Sequence, residues 1–167
     1  MQSMDPEVEV GDALTSREET VAVAESATGG LVCSTITDVP GSSEYFDRGF
    51  VTYAYEAKTG TLGVDRAVLD EHGAVSRPVA AQMANACRDL AGSTWGVSVT
   101  GTAGPSGGTP EKPVGTVYIG VAHAGEWGTG ESWVEVERYT VDGDRLAIKT
   151  RAATQALEDL LSAIRES

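Results

Sequence analysis

The chain is short of several residue types at once. Its 167 residues include only two cysteines, two histidines, two phenylalanines and three lysines. Two cysteines, Cys33 and Cys87, cannot build a disulfide framework. Set among apolar neighbours, they read as buried thiols of a reducing compartment. His72 and His123 are isolated from each other and from the cysteines, so no metal-ligand spacing arises and no metal or other cofactor is expected. No apolar run approaches the ~18 residues of a membrane span. Residues 1–12 lack the basic and apolar regions of a signal peptide, and the expected location is cytoplasmic. Positive charge is scarce as well: 12 Lys and Arg face 25 Asp and Glu, for a net charge of −13. That excludes the basic face required by a nucleic-acid binder or a polybasic membrane binder.

What is present is an ordinary globular share of apolar residues, 41%, and a length suited to about one domain. The negative charge is uneven. Residues 1–25 carry −6, residues 26–124 carry −3 and residues 125–167 carry −4. The acids therefore form a shell at the two ends around a nearly balanced middle. Together with the scarce lysine, this composition suits a halophilic interior.

Patterning places the elements. Residues 1–17 form an acidic segment in which Val8, Val10 and Leu14 allow a short helix, and residues 18–167 form the main domain. Residues 20–24 are a β-branched apolar run, hence a buried strand, followed by Thr28-Gly29-Gly30 and a helix over 31–36. A second strand is expected over 49–54 and short helices over 55–62 and 66–71. Ser76 reads as the cap of a helix with Pro78 in its first turn, and Val79, Met83, Ala86 and Leu90 as its apolar stripe. Strands follow at 95–100, 114–122 and 133–139, the last two joined by a Gly-containing hairpin. The final helix starts at Asp142–Asp144 and carries Leu146, Thr150, Ala153, Leu157, Leu160 and Ile164 on one face. Early strands alternate with helices and late strands form a hairpin. The expected fold is a single-domain, three-layer α/β/α sandwich with a mixed sheet.

Four segments could carry chemistry. Residues 100–116 hold many glycines and prolines directly after a buried strand, a composition that lets backbone N–H groups approach a phosphate. Thr100, Gly101, Gly104, Gly107, Gly108 and Lys112 are its candidate ligands. The corner Ser26, Thr28, Gly29 lies between a strand and a helix and offers hydroxyls and N–H donors. Ser43 lies in a turn before a strand that ends at Tyr53, with Lys58 just beyond. A hydroxyl, a phenol and an amine can converge there if turn and strand end fold together, a neutral lysine taking the serine proton. Arg145, in the opening turn of the last helix, could clamp a phosphate or pair with an acid.

These segments together resemble the C-terminal domain of the competence/damage-inducible protein CinA, a family that includes stand-alone nicotinamide-nucleotide amidohydrolases. The matching stretches are Ala24-Glu-Ser-Ala-Thr-Gly-Gly30, Thr37-Asp-Val-Pro-Gly-Ser-Ser43, Gly49-Phe-Val-Thr-Tyr53 with Glu56-Ala-Lys58, Thr100-Gly-Thr-Ala-Gly-Pro105 and Gly143-Asp-Arg145. To these are added Leu62-Gly-Val64, His72-Gly-Ala-Val-Ser76 and Gly107-Gly-Thr-Pro-Glu-Lys-Pro-Val-Gly-Thr116. The resemblance implies the stand-alone form and hydrolysis of the carboxamide of nicotinamide mononucleotide. It implies Ser43 as nucleophile, Lys58 as its base and Tyr53 as relay, with Ser26, Thr100 and Arg145 positioning the substrate. The residues do not separate Ser26 from Ser43 as nucleophile, and Ser43 is favoured. Ala27 stands where the family often has cysteine, which removes a thiol from this corner. The expected partner is a small pyridine nucleotide, with no nucleic acid and no membrane, in a homo-oligomer. A non-catalytic nucleotide- or phosphosugar-binding module, or a competence-pathway interaction protein, is the alternative.

The acidic shell repels a phosphate-bearing substrate at low salt. Added salt is therefore expected to lower KM by screening that shell, with Lys112, Arg145 and backbone N–H groups supplying local attraction. A KM that rises steeply with salt in steady-state assays contradicts this.

Overall fold

A computed structural model describes residues 4–167, so the first three residues of the acidic N-terminal segment lie outside it. The order of elements is α1 (Pro6–Arg17), β1 (Val21–Glu25), α2 (Leu31–Thr37), a 3-10 turn (Ser42–Glu44), β2 (Phe46–Val51), α3 (Tyr55–Leu62), α4 (Arg66–His72), α5 (Arg77–Ala91), β3 (Trp95–Gly101), β4 (Thr116–His123), β5 (Trp133–Thr140) and α6 (Arg145–Glu166). The strands form one sheet in the order β2-β1-β3-β4-β5. β1 pairs parallel with β2 and β3, whereas β3-β4 and β4-β5 are antiparallel. The expected mixed sheet between helical layers is thus present.

Period-two alternation divides the core. Val21 and Val23 of β1 join Val97 and Val99 of β3 against α1, α2 and α6. Ala22 and Ala24 face the other way, with Val79, Met83 and Cys87 of α5. On this second face the sheet presents small residues. A Cβ on Gly96 would lie 2.2 Å from the Ala84 carbonyl oxygen, and one on Gly120 would lie 2.9 Å from that of Ala80. The Ser98 hydroxyl donates to the Ala80 carbonyl at 2.6 Å. Helix α5 therefore sits on the strand backbones through its own alanines, closer than large side chains would allow.

That close packing corrects the expected stripe of α5. Val79 and Met83 are buried, but the buried line continues through Ala80, Ala84 and Cys87, and Leu90 is exposed. Leu146 of α6 is exposed as well, the buried face there beginning at Ile148. Ser76 does not cap α5, because its hydroxyl donates to the Gly73 carbonyl. Asp144 does cap α6, accepting from the Ala147 N–H at 2.9 Å. β2 starts three residues earlier than expected, at Phe46. It is an edge strand with Asp47 and Arg48 exposed, so its first half carries no apolar signal. Cys33 is half-buried and Cys87 buried, both as free thiols. Among the described residues no helix is long and apolar enough to cross a membrane.

The α5–sheet contact sets one expectation. Gly96→Ala forces helix and sheet apart and costs about 1–3 kcal/mol. Gly60→Ala, in α3 with open space around the new methyl, stabilises by up to about 1 kcal/mol. Denaturant unfolding midpoints of the two variants check both.

Candidate active site

The parallel pairs β2-β1-β3 bring the carboxyl ends of three strands to one edge, where open α/β sheets place their ligands. Glu25, the last residue of β1, pairs with Val51 on one side and Val99 on the other. The ladder runs one step further: the Thr52 N–H donates to the Glu25 carbonyl at 2.8 Å, and the Ser26 N–H to the Val99 carbonyl at 3.0 Å. The chain then turns at Ala54 into α3, whose second turn carries Lys58 back over this edge.

Lys58 is fully buried. Its Nζ lies 2.9 Å from Ser26 Oγ, 2.6 Å from the Thr52 carbonyl oxygen and 3.3 Å from that of Tyr53. Burial lowers its pKa to about 8. As an ammonium it donates to all three oxygens. As a neutral amine it keeps two N–H donors for the two carbonyls and turns a lone pair to the Ser26 hydroxyl. Both protonation states are therefore satisfied by the same surroundings, and proton exchange with Ser26 leaves no buried group without a partner.

A cavity of about 260 Å³ opens above this pair. Ser26, Ala27 and Lys58 line it from β1 and α3, Thr100–Gly104 with Ser106 and Gly107 line it from the glycine-rich loop, and Tyr53 and Arg145 stand at its edge. Arg145 donates to the Gly104 carbonyl at 2.6 Å and to the Tyr53 hydroxyl at 3.1 Å. Both acceptors are uncharged, so a phosphate arriving at this position offers the guanidinium a stronger, charge-assisted partner.

The structure does not bring Ser43 to Lys58. Ser43 lies in the exposed turn before β2, and β2 begins at Phe46, opposite Val21 at the start of β1. Ser26 follows the end of β1. The two hydroxyls are thus at opposite edges of the sheet, about five residues of strand, or ~16 Å, apart. The expected convergence of turn and strand end fails because the strand between them runs the full depth of the sheet. Tyr53 does reach the cavity, but its hydroxyl bonds Arg145 while its carbonyl holds Lys58.

The other candidates divide. Thr100, Gly101, Gly104 and Gly107 line the cavity, and the Thr100 hydroxyl donates to the Ala74 carbonyl at 2.9 Å. Gly108 does not line it. It packs inside the loop, where a Cβ would lie 2.6 Å from the Val114 nitrogen. Lys112 is turned away to donate to the His72 carbonyl at 2.7 Å, where it satisfies the end of α4. Thr28 and Gly29 face a neighbouring groove lined also by Leu146 and Lys149.

Sequence reasoning passed over Glu25. This fully buried carboxylate accepts from the Thr28 hydroxyl at 2.6 Å and from the N–H groups of Gly30, Val32 and Cys33 at 3.2, 2.8 and 3.0 Å. The signal was legible: an acid closing an otherwise apolar strand is rarely buried without a purpose.

The CinA C-terminal domain family matches residues 4–164. A CinA-like protein of Chlorobaculum tepidum is 51% identical over 94% of this chain, and the match spans 37% of its own length. Other CinA-like relatives are likewise matched over about a third of their length. A protein of Shigella flexneri named nicotinamide-nucleotide amidohydrolase PncC is 47% identical over 91% of this chain and 88% of its own. Among solved structures, a CinA superfamily protein of Klebsiella pneumoniae aligns over the whole of both chains with a TM-score of 0.90 at 28% identity. A competence/damage-inducible protein of Agrobacterium tumefaciens gives 0.87 at 36%. With its sequence and its fold in agreement, the chain belongs to the CinA C-terminal domain family.

Proposed function

We propose that this chain hydrolyses the carboxamide of nicotinamide mononucleotide to nicotinate mononucleotide and ammonia, with Ser26 as nucleophile and Lys58 as its base. The observation that carries the reading is the 2.9 Å contact between a buried, pKa-lowered amine and the one serine hydroxyl it touches, at the floor of a cavity. The name of the Shigella relative supports the substrate class. The Arg145 guanidinium at the cavity edge, bonded to neutral oxygens and to no acid among the described residues, suits the phosphate of a nucleotide.

In the reading, neutral Lys58 takes the Ser26 proton as Oγ bonds the carboxamide carbon and the C=O electron pair moves to oxygen. Collapse of that intermediate breaks the C–N bond. Lys58 returns its proton to the nitrogen, which leaves as ammonia. A water then attacks the acyl ester, again giving its proton to Lys58, and Ser26 is regenerated. Arg145 and the loop at Ser106 and Gly107 hold the phosphate and ribose, which fixes the ring amide over Ser26.

Ammonia release from purified protein tests this. Ser26→Ala and Lys58→Met are each expected to lower kcat at least about a thousandfold, while Ser43→Ala keeps near-wild-type turnover. Loss with Ser43→Ala and retention with Ser26→Ala overturns the assignment. Nucleotide binding without any ammonia release favours a binding module.

The base is active when unprotonated, so kcat/KM is expected to rise with pH and level off above about 8. Lys58 should also leave a mark on stability. Its folded pKa lies below the ordinary lysine value, so the unfolded chain binds the proton more tightly. Stability gains with rising pH between about 8 and the ordinary lysine value of ~10.4, and falls back as pH drops through 8. Lys58→Met should abolish that gain in unfolding experiments.

A further inference from the structure

The strand-to-helix corner after β1 can be audited amide by amide, since a buried backbone donor almost always has an acceptor. The Ser26 N–H goes to Val99 O, Gly29 to Ser26 O and Leu31 to Thr28 O. Gly30, Val32 and Cys33 all go to the Glu25 carboxylate. Of residues 26–33, that leaves two amides without an acceptor among the described residues, those of Ala27 and Thr28. They directly follow the proposed nucleophile. Ser26 and Ala27 line the cavity, whereas Thr28 is buried and belongs to the neighbouring groove, so of the two amides it is that of Ala27 which borders the cavity.

We infer that the backbone N–H of Ala27 is the oxyanion-hole donor of the hydrolysis, and that Glu25 is the positioning residue that presents it. The inference rests on the reading of Ser26 as nucleophile. When Ser26 Oγ bonds the carboxamide carbon, the displaced electron pair sits on an oxygen only one bond away from that carbon. The Ala27 nitrogen is tied to Ser26 by the peptide bond and so stays within a few ångströms of Oγ through the reaction. Unpaired donors already in place gain most from the charge that develops there.

The role of Glu25 follows from the same audit. By taking the N–H groups that open α2, together with the Thr28 hydroxyl, it leaves the helix start fully used. The two amides before it are free but held. The helix end itself is therefore not the site. Other N–H groups without an acceptor among the described residues line the cavity from the glycine-rich loop, those of Ala103, Gly104, Ser106 and Gly107 among them, and Arg145 bonds the Gly104 carbonyl of that loop. In the proposed reading this loop holds the sugar and phosphate.

The aldehyde analogue of nicotinamide mononucleotide, with a formyl group in place of the carboxamide, tests the inference. Its carbonyl carbon accepts Ser26 Oγ, the serine proton passes to Lys58 and no leaving group departs, so the adduct stays. A crystal structure is expected to place the former carbonyl oxygen within hydrogen-bond distance of the Ala27 nitrogen. An adduct on Ser26 whose oxygen bonds Ala103, Gly104 or Arg145 instead overturns the inference and leaves the hydrolytic reading standing. Absence of both an adduct and ammonia release from nicotinamide mononucleotide overturns the two together.

Kinetics give an independent arm. Ala27→Pro deletes one donor and should lower kcat about a hundredfold or more at little-changed KM. Glu25→Gln replaces one acceptor oxygen by a donor facing other donors. It should lower kcat, again with KM held and with the pH midpoint near 8 unmoved, because Lys58 is untouched. If Ala27→Pro fails to fold, the adduct structure decides. A folded Ala27→Pro enzyme with wild-type kcat overturns the inference.

Discussion

The molecule turns on the burial of one amine. Lys58 Nζ is enclosed where three strands end, and its three partners are supplied by the backbone and the hydroxyl at that edge. Burying an ammonium is costly unless its donors are satisfied, and burial also lowers its pKa. Satisfying them here requires the carbonyls of Thr52 and Tyr53 to lie beside Ser26. That follows from the extra rung by which β2 pairs beyond Glu25. The site is thus a continuation of sheet pairing past the last formal residue of the strand.

The remaining framework keeps that edge still. Helix α5 lies on the strand backbones through Ala80, Ala84, Gly96 and Gly120, with the Ser98 hydroxyl pinning the Ala80 carbonyl. A contact made of small residues and backbone has little freedom to slide. On the opposite face, α1, α2 and α6 share a core of branched residues, and α6 brings Arg145 to the cavity mouth. Glu25 joins the two levels. Its backbone pairs both neighbouring strands, and its carboxylate organises the turn after Ser26. One residue thereby links sheet register to the geometry of the corner.

The acidic character takes a different place from the one it first suggests. The cavity is lined by uncharged groups, Lys58 and Arg145, while the net charge of −13 resides mainly outside the motif-bearing middle. Arg145 bonds only neutral oxygens in the cavity mouth, so local positive potential survives inside an anionic protein. Lys112 does not line the cavity, and its ammonium donates to the His72 carbonyl at the end of α4.

Much of this was legible in the chain alone. Alternation and helical periodicity are local properties. The strand and helix segments bearing strong apolar patterns lie within a few residues of where the pattern puts them, and Ser26, Lys58, Arg145 and the glycine-rich loop, all singled out by the sequence, line one cavity. Failures came where the deciding contact is distant in sequence. Leu90 fits a helical stripe but faces solvent because the sheet favours alanines for close approach to α5, and Leu146 faces solvent because the buried face of α6 begins at Ile148. Ser43 is favoured over Ser26 as the neighbour of Lys58 from the sequence, and no local pattern corrects that choice. Only the parallel pairing of β2 with β1 does so, since it sends the chain from one edge of the sheet to the other between Ser43 and Lys58. Residue types and spacings determine which groups can react; strand direction and register decide which of them meet.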